Sequence, residues 1–177
     1  MRRLFCFDFD KTLVKGHLHN AMVQYANSGG EKFRAKVAEL IKDPDVGLRN
    51  PKEIVKLMRK IWANGHHIAI VSFTQFSQMV QLALQELGLS NEEMKLVDRQ
   101  CFPPEKEYQV WFPGKNFHLL KSMKEFDISD PTQVLLIDDS EINIKAAKQA
   151  FYATVQVVED DFEKTLGEIE SFIFQEQ

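Results

Sequence analysis

Short apolar runs recur along this chain, separated by stretches with helical spacing. Leu4 to Phe7, Ile68 to Val71, Val134 to Ile137 and Ala153 to Val158 are rich in branched or aromatic side chains. They read as strands buried on both faces of a sheet. Met94 to Val97 is a weaker fifth strand, carried by Leu96, Val97 and its place after a helix. In Pro51 to Asn64 the apolar positions Ile54, Leu57, Met58, Ile61 and Trp62 recur at steps of three and four, with Asn50 placed to cap the start and Gly65 beyond the end. Phe76, Met79, Val80, Ala83 and Leu87 give a second helix, running from Phe73 to Leu87 and stopping at Gly88. Phe117, Leu120 and Met123 mark a third, and Ile142 to Phe151 and Phe162 to Phe174 two more, with Glu159, Asp160 and Asp161 placed to cap the last. Alternating strand and helix predicts a three-layer α/β/α, Rossmann-like parallel sheet with its chemistry at the carboxyl ends of the strands.

Two segments break the alternation. Val14 to Asn50 holds a short helix around Leu18 to Ala26, a Gly29-Gly30 break and an amphipathic helix with Phe33, Val37, Leu40 and Ile41, a small helical insertion after strand one. Only its second helix has a full apolar stripe, so the insertion is expected to be mobile and to add little to the stability of the core. Asp98 to Gly114 reads as a loop, with Pro103, Pro104 and Pro113 among Phe102, Tyr108, Trp111 and Phe112.

Composition narrows the class. A chain of 177 residues that is 44% hydrophobic, with 14 Phe, has enough apolar material for a core, which excludes disorder. A net charge of -4 argues against a broad basic face for duplex nucleic acid. Cys6 and Cys101 cannot build a disulfide framework, and no signal-peptide core or transmembrane run is visible, so a reducing, cytoplasmic setting is expected.

Four places carry candidate chemistry. Asp8 and Asp10 directly follow strand one, and alternation along an extended chain sends both carboxylates to one side, where they repel unless a cation or a proton intervenes. Two readings are open: acids that cap a turn, or a nucleophile and proton shuttle with a shared divalent cation. Asp138 and Asp139 end another buried strand, where paired carboxylates need compensation, and Asp139 is the preferred metal ligand. The bland reading is a helix cap by Asp138 or Ser140. Ser72 also sits just beyond a strand, either as a helix cap or with the following helix-start amides around phosphate oxygens. Lys115, at the unfavourable end of a helix for a cation, calls for a phosphate or carboxylate to balance it, and Lys121 is its competitor.

In this order and context the residues resemble the haloacid dehalogenase superfamily of phosphohydrolases: Asp8-Phe9-Asp10-Lys11-Thr12 after strand one, Ser72 after strand two, Lys115, and Asp138-Asp139 with Asn143 after strand four. The resemblance spans Arg3 to about Val158. It implies that Asp8 attacks the phosphoryl group to form an aspartyl-phosphate, while Asp10 protonates the leaving oxygen and then activates water. It further implies that Thr12, Ser72 and Lys115 hold the phosphoryl group. Asp8, the Asp10 main-chain carbonyl and Asp139 would bind Mg²⁺, with Asp138 at longer range or orienting Asp139. On this reading residues 1–177 form one hydrolase domain, with residues 14–50 as a rudimentary cap. Such a small cap leaves an open site, which by analogy suits a bulky phosphorylated partner, a phosphoprotein and within that class phosphotyrosine. Phe73, Phe76, Tyr108, Trp111 and Phe112 either wall a pocket for an aromatic phosphoester or belong to the core. The alternatives are a small-metabolite phosphatase with the helices as a miniature lid, and a phosphate-binding module without turnover. His17 and His19 flank the first site, but their spacing is poor for a zinc site.

Overall fold

The computed structural model describes residues 2–89, 94–102 and 114–175. Among these, a five-stranded parallel sheet runs in the order β3-β2-β1-β4-β5. Its strands are β1 (Leu4–Phe7), β2 (His67–Val71), β3 (Met94–Val97), β4 (Val134–Asp138) and β5 (Ala153–Gln156). The helices are α1 (Leu18–Val23), α2 (Gly30–Lys42), α3 (Pro51–Ala63), α4 (Ser77–Glu86), α5 (Asn116–Glu125), α6 (Glu141–Gln149) and α7 (Phe162–Phe174). The Rossmann-like α/β/α class read from the sequence is therefore the architecture observed.

Side-chain alternation divides each central strand between two cores. Phe5 and Phe7 of β1, Ile68 and Ile70 of β2, and Leu135 and Ile137 of β4 pack with α1, α2, α3, α4 and α7. Leu4 and Cys6, Ala69 and Val71, and Val134 and Leu136 face the other way, against Leu119 and Met123 of α5 and Ala147 of α6. Both faces are thus covered, and this is why the strands read as unbroken apolar runs.

Register decides which side chains meet at the strand ends. Phe7 pairs with Ile70 on one side and Ile137 on the other, so the three central strands end level. Asp8, Ser72 and Asp138 are the next residues, or nearly so, on adjacent strands. The Asp8 N–H continues the ladder by donating to the Ile137 carbonyl at 2.8 Å.

Several local details differ from the sequence expectation. The helix after Ser72 starts at Ser77, because the Ser72 hydroxyl accepts the Thr74 N–H at 3.2 Å and the Thr74 hydroxyl accepts the Phe76 N–H at 3.1 Å. These side-chain turns hold residues 72–76 out of the helix. Asn50 stands at the start of α3 with left-handed backbone (φ 37°) and no side-chain cap bond; its carbonyl instead takes the Glu53 and Ile54 N–H groups. In α5 the buried face is His118, Leu119, Ser122 and Met123, and Leu120 is exposed. Strand β5 stops at Gln156 rather than Val158. The loop after β3 opens with a 3-10 turn, Arg99–Cys101, and its Pro103, Pro104, Tyr108, Trp111, Phe112 and Pro113 lie outside the described residues. The acidic cap read before the last helix is present, Asp161 accepting the Lys164 N–H at 3.3 Å.

The largest correction concerns Val14 to Asn50. Leu18 and Met22 of α1 and Phe33, Val37 and Ile41 of α2 are buried in the same cluster as β1, β2 and α3. The ends of the segment are tied together, Val14 bridging Leu48, with further backbone bonds from Lys15 N–H to Gly47 and from Arg49 N–H to Leu13. Gly47 allows this closure, since a Cβ there would lie 2.5 Å from the Asp43 and Ile41 carbonyl oxygens. The insertion is thus built into the core rather than laid over it. Accordingly Met22→Ala, at a fully buried position, should lower stability in urea unfolding by about 2–5 kcal/mol. A loss under 0.5 kcal/mol, roughly what a surface change costs, would restore the loosely attached insertion.

Candidate active site

The carboxyl ends of β1, β2 and β4 converge on one buried ammonium group. Lys115, 1% exposed, enters from the start of α5 and donates to Asp8 Oδ1, to the Val71 carbonyl at 2.9 Å and to Asp138 Oδ2 at 3.1 Å. It reaches so far in because Gly114 packs closely on α6. Gly114 has φ +56°, and a Cβ there would lie 3.0 Å from Asn143 Oδ1 and 3.2 Å from Ala146 Cβ. Lys121 plays no part in this cluster; it forms a surface pair with Glu125 at 3.7 Å.

Asp138 is the fixed member. Fully buried, its carboxylate accepts the Ser140 N–H at 2.8 Å and both oxygens take Asn143 Nδ2, at 3.0 and 3.1 Å, in addition to Lys115. Ser140, at the cap position of α6, makes no side-chain cap bond. Asp139 is half-buried, and one carboxylate oxygen from each of Asp8, Asp138 and Asp139 lies within 4.8 Å of the others.

Asp10 opens on the same cavity as Asp8 but stands outside the three-carboxylate group. The chain turns after β1, Lys11 adopting φ 60°, and the Asp10 carboxylate is taken up by the Leu18 N–H at 2.8 Å and the His19 N–H at 3.4 Å. It is held beside the cluster, not in it. Thr12 is buried behind Asp8, its hydroxyl 3.5 Å from Asp8 Oδ2, and does not line the cavity. Ser72 does line it, without the expected helix-start amides at its back. The cavity, about 550 Å³, brings together Asp8, Asp10, Ser72, Lys115 and Asp139, with Phe73 and Ile142 as apolar wall. Thr74, Ile142 and Gly114 also line it and were not singled out from the sequence; the glycine next to a lysine was the one available signal. Phe76 is packed against the main core, and Tyr108, Trp111 and Phe112 lie outside the described residues.

Charge decides what such a site can hold. Burial raises the Asp8 pKa most, Lys115 opposes, and Asp138 adds to the rise, leaving it pushed up to about 8. Asp139 is raised by burial and then by Asp138, and Asp10 by burial against the His19 and Leu18 N–H bonds. Burial lowers the Lys115 pKa, but Asp138 and Asp8 outweigh it, so the ammonium form is favoured. With all three carboxylates ionised, one lysine leaves two negative charges uncompensated among hard oxygen donors. That donor set and charge fit a divalent cation such as Mg²⁺.

No family model and no curated protein matches the chain by sequence. Solved structures do match it. The HAD (haloacid dehalogenase) domain of the effector protein Lem4 from Legionella pneumophila has a TM-score of 0.66 at 12% identity, with 98% of this chain and 94% of that one covered. The chain has the HAD fold. A HAD-superfamily hydrolase from Ehrlichia chaffeensis gives a TM-score of 0.58 at 14% identity, with 98% and 99% covered. Phosphoserine phosphatase in its apo form gives 0.56 at 16% identity, with 93% and 91% covered. The HAD fold read from Asp8, Ser72, Lys115 and Asp138 is thus the fold found, one shared with hydrolases. Among the described residues, no helix is long and apolar enough to cross a membrane.

The cluster makes two stability predictions. A carboxyl whose pKa is higher in the folded than in the unfolded chain favours folding while protonated, and that contribution is lost as pH rises from the ordinary carboxylate range through about 8. In metal-free buffer Tm should therefore fall across that window, Mg²⁺ should raise it most at the alkaline end, and Asp139→Ala should raise metal-free Tm while weakening the Mg²⁺ response. A Tm response to Mg²⁺ that is equal at every pH would contradict this. Lys115→Met, which strands Asp8 beside Asp138, should cost about 3–5 kcal/mol, whereas Lys121→Met should cost under about 0.5 kcal/mol, both read from urea unfolding.

Proposed function

We propose that this protein is a Mg²⁺-dependent phosphomonoester hydrolase that works through an aspartyl-phosphate on Asp8. The observation that carries the reading is the three-carboxylate cluster with a single buried lysine, opening on a cavity whose wall also presents Asp10. Asp8, Asp139 and Asp138, with the Asp10 main-chain carbonyl, would hold the Mg²⁺. When bound, the ion supplies Lewis-acid neutralisation of the phosphoryl oxygens and of the carboxylates around them.

The protein's own groups divide the remaining work. An Asp8 carboxylate oxygen attacks phosphorus, the bond from phosphorus to the ester oxygen breaks, and Asp10 gives its proton to that oxygen. The upward shift of Asp10 suits this role, because an acid must still hold its proton when the leaving group needs it. Asp10 then takes a proton from water, which attacks the phosphorus of the aspartyl-phosphate and returns Asp8 with inorganic phosphate. Lys115 stays protonated and sets Asp8 in place, so positive charge stands where charge accumulates on the phosphoryl group. The Ser72 hydroxyl is available to the phosphoryl oxygens from the cavity wall. Thr12 supports Asp8 from behind.

Phe73 on the cavity wall and Ile142, which is 75% exposed at its rim, favour an aromatic leaving group. A phosphoprotein side chain, phosphotyrosine above the others, is the substrate this wall suits. The α1 N–H groups that hold Asp10 support reading residues 14–50 as a small fixed cap integrated with the core. Asp8→Asn keeps the shape of the side chain but cannot attack phosphorus, so hydrolysis of an aryl phosphate in Mg²⁺ should fall by at least about a thousandfold with the fold intact by circular dichroism. A variant that keeps more than a few per cent of the rate would remove Asp8 as nucleophile.

A further inference from the structure

A second concavity lies beside the phosphate cavity. It is a shallow surface concavity of about 510 Å³ between the α1–α2 turn and the start of α4, and Asn27, Gln75, Gln78, Gln81 and Gln100 line it together with Phe76. Among the described residues no charged side chain lines this groove. Some of its polar groups are already committed: Gln100 Nε2 donates to the Gln75 carbonyl at 2.5 Å. Gln78, with its amide oxygen turned to Arg34, accepts from Nε at 2.9 Å and Nη2 at 3.2 Å. Asn27 and Gln75 are exposed and Gln81 is half-buried, so their side-chain amides are presented at the surface of the groove.

The two concavities meet along the chain at residues 74–76. Thr74 lines the phosphate cavity, and the next residues, Gln75 and Phe76, line the groove. His19, also on the phosphate cavity, contacts the Thr74 hydroxyl through Nδ1 at 3.0 Å and lies with its ring 5.1 Å from that of Phe76. A substrate whose phosphoryl group sits at Lys115 can therefore continue over this ridge into the groove.

We propose that the groove takes an extended stretch of polypeptide flanking the phosphorylated residue, a proposal that rests on the phosphomonoesterase reading. A primary amide carries two donors and an acceptor, the complement of a peptide link, so a row of neutral amides can pair with either the N–H or the C=O that an extended chain presents. A nucleic acid backbone would call instead for lysines and arginines, which this lining lacks.

Peptide length tests this. KM is measured for an aryl phosphate, free phosphotyrosine, phosphotyrosine peptides extended by a few residues on each side, and a phosphorylated oligosaccharide. Extension on one side should lower KM by about fivefold or more, as a few net hydrogen bonds allow. Asn27→Ala combined with Gln81→Ala should abolish that gain while leaving aryl phosphate turnover unchanged. A KM independent of peptide length overturns the proposal, as does an equal effect of the double substitution on the aryl phosphate. A comparable gain with the oligosaccharide in place of the peptide would make this a glycan groove and overturn it too. If the unaltered protein does not turn over the aryl phosphate at all, the phosphomonoesterase reading fails first and the groove proposal falls with it.

Discussion

The structure turns on one buried ammonium group facing more negative charge than it can neutralise. Lys115 is held by Asp8, Asp138 and the Val71 carbonyl, with Asp139 close by. Burying Asp8 and Asp138 beside the half-buried Asp139 is unfavourable by several kcal/mol per buried ion unless each finds a partner. The fold meets part of that demand and leaves the rest. Asp138 is satisfied by Lys115, Asn143 and the Ser140 N–H, whereas Asp8 and Asp139 keep raised pKa values. Under the function proposed above, that uncompensated charge is what a divalent cation would neutralise.

The rest of the scaffold explains how these charges come to meet. Parallel pairing in level register places the residues after Phe7 and Ile137 side by side, so that Asp8 and Asp138 approach through backbone geometry alone. The two apolar faces of the sheet are what keep that register fixed, since a slip of one residue would exchange the two cores. Gly114 then brings the start of α5 close enough to α6 for Lys115 to reach the strand ends. The left-handed Lys11 turns Asp10 away from the cluster and onto the N–H groups of α1. In this way two acids two residues apart acquire different surroundings, and different surroundings are what separate a nucleophile from a proton donor.

What could be read from the chain was whatever local pattern determines. The strands carried unbroken apolar runs because both faces are covered, and α3 carried a full stripe, so their places were legible. The acids at the ends of β1 and β4 were legible for the same reason, since charge following a buried run is costly. The start of α4 was not, because the hydroxyl turns of Ser72 and Thr74 compete with a helix that the apolar pattern alone favours. The structural weight of α1 was missed because only Leu18 and Met22 are buried in it, too few to show a stripe. Choosing between Lys115 and Lys121 required knowing how α5 packs on α6, a long-range contact that no window of sequence holds. The amide groove likewise joins residues from the α1–α2 turn, α4 and the loop after β3.

If this charge cluster makes Asp8 a nucleophile toward phosphorus, the phosphoryl group must pass through Asp8 during turnover. That passage can be caught by mixing the protein with an aryl phosphate and Mg²⁺, quenching in acid within a turnover, and locating any phosphoryl adduct by peptide mass spectrometry. The adduct is expected on the peptide containing Asp8, labile at alkaline pH as an acyl phosphate is, and lost when Mg²⁺ is withheld. Turnover with no adduct on that peptide, or an adduct carried by another residue, would show that Asp8 is not the nucleophile.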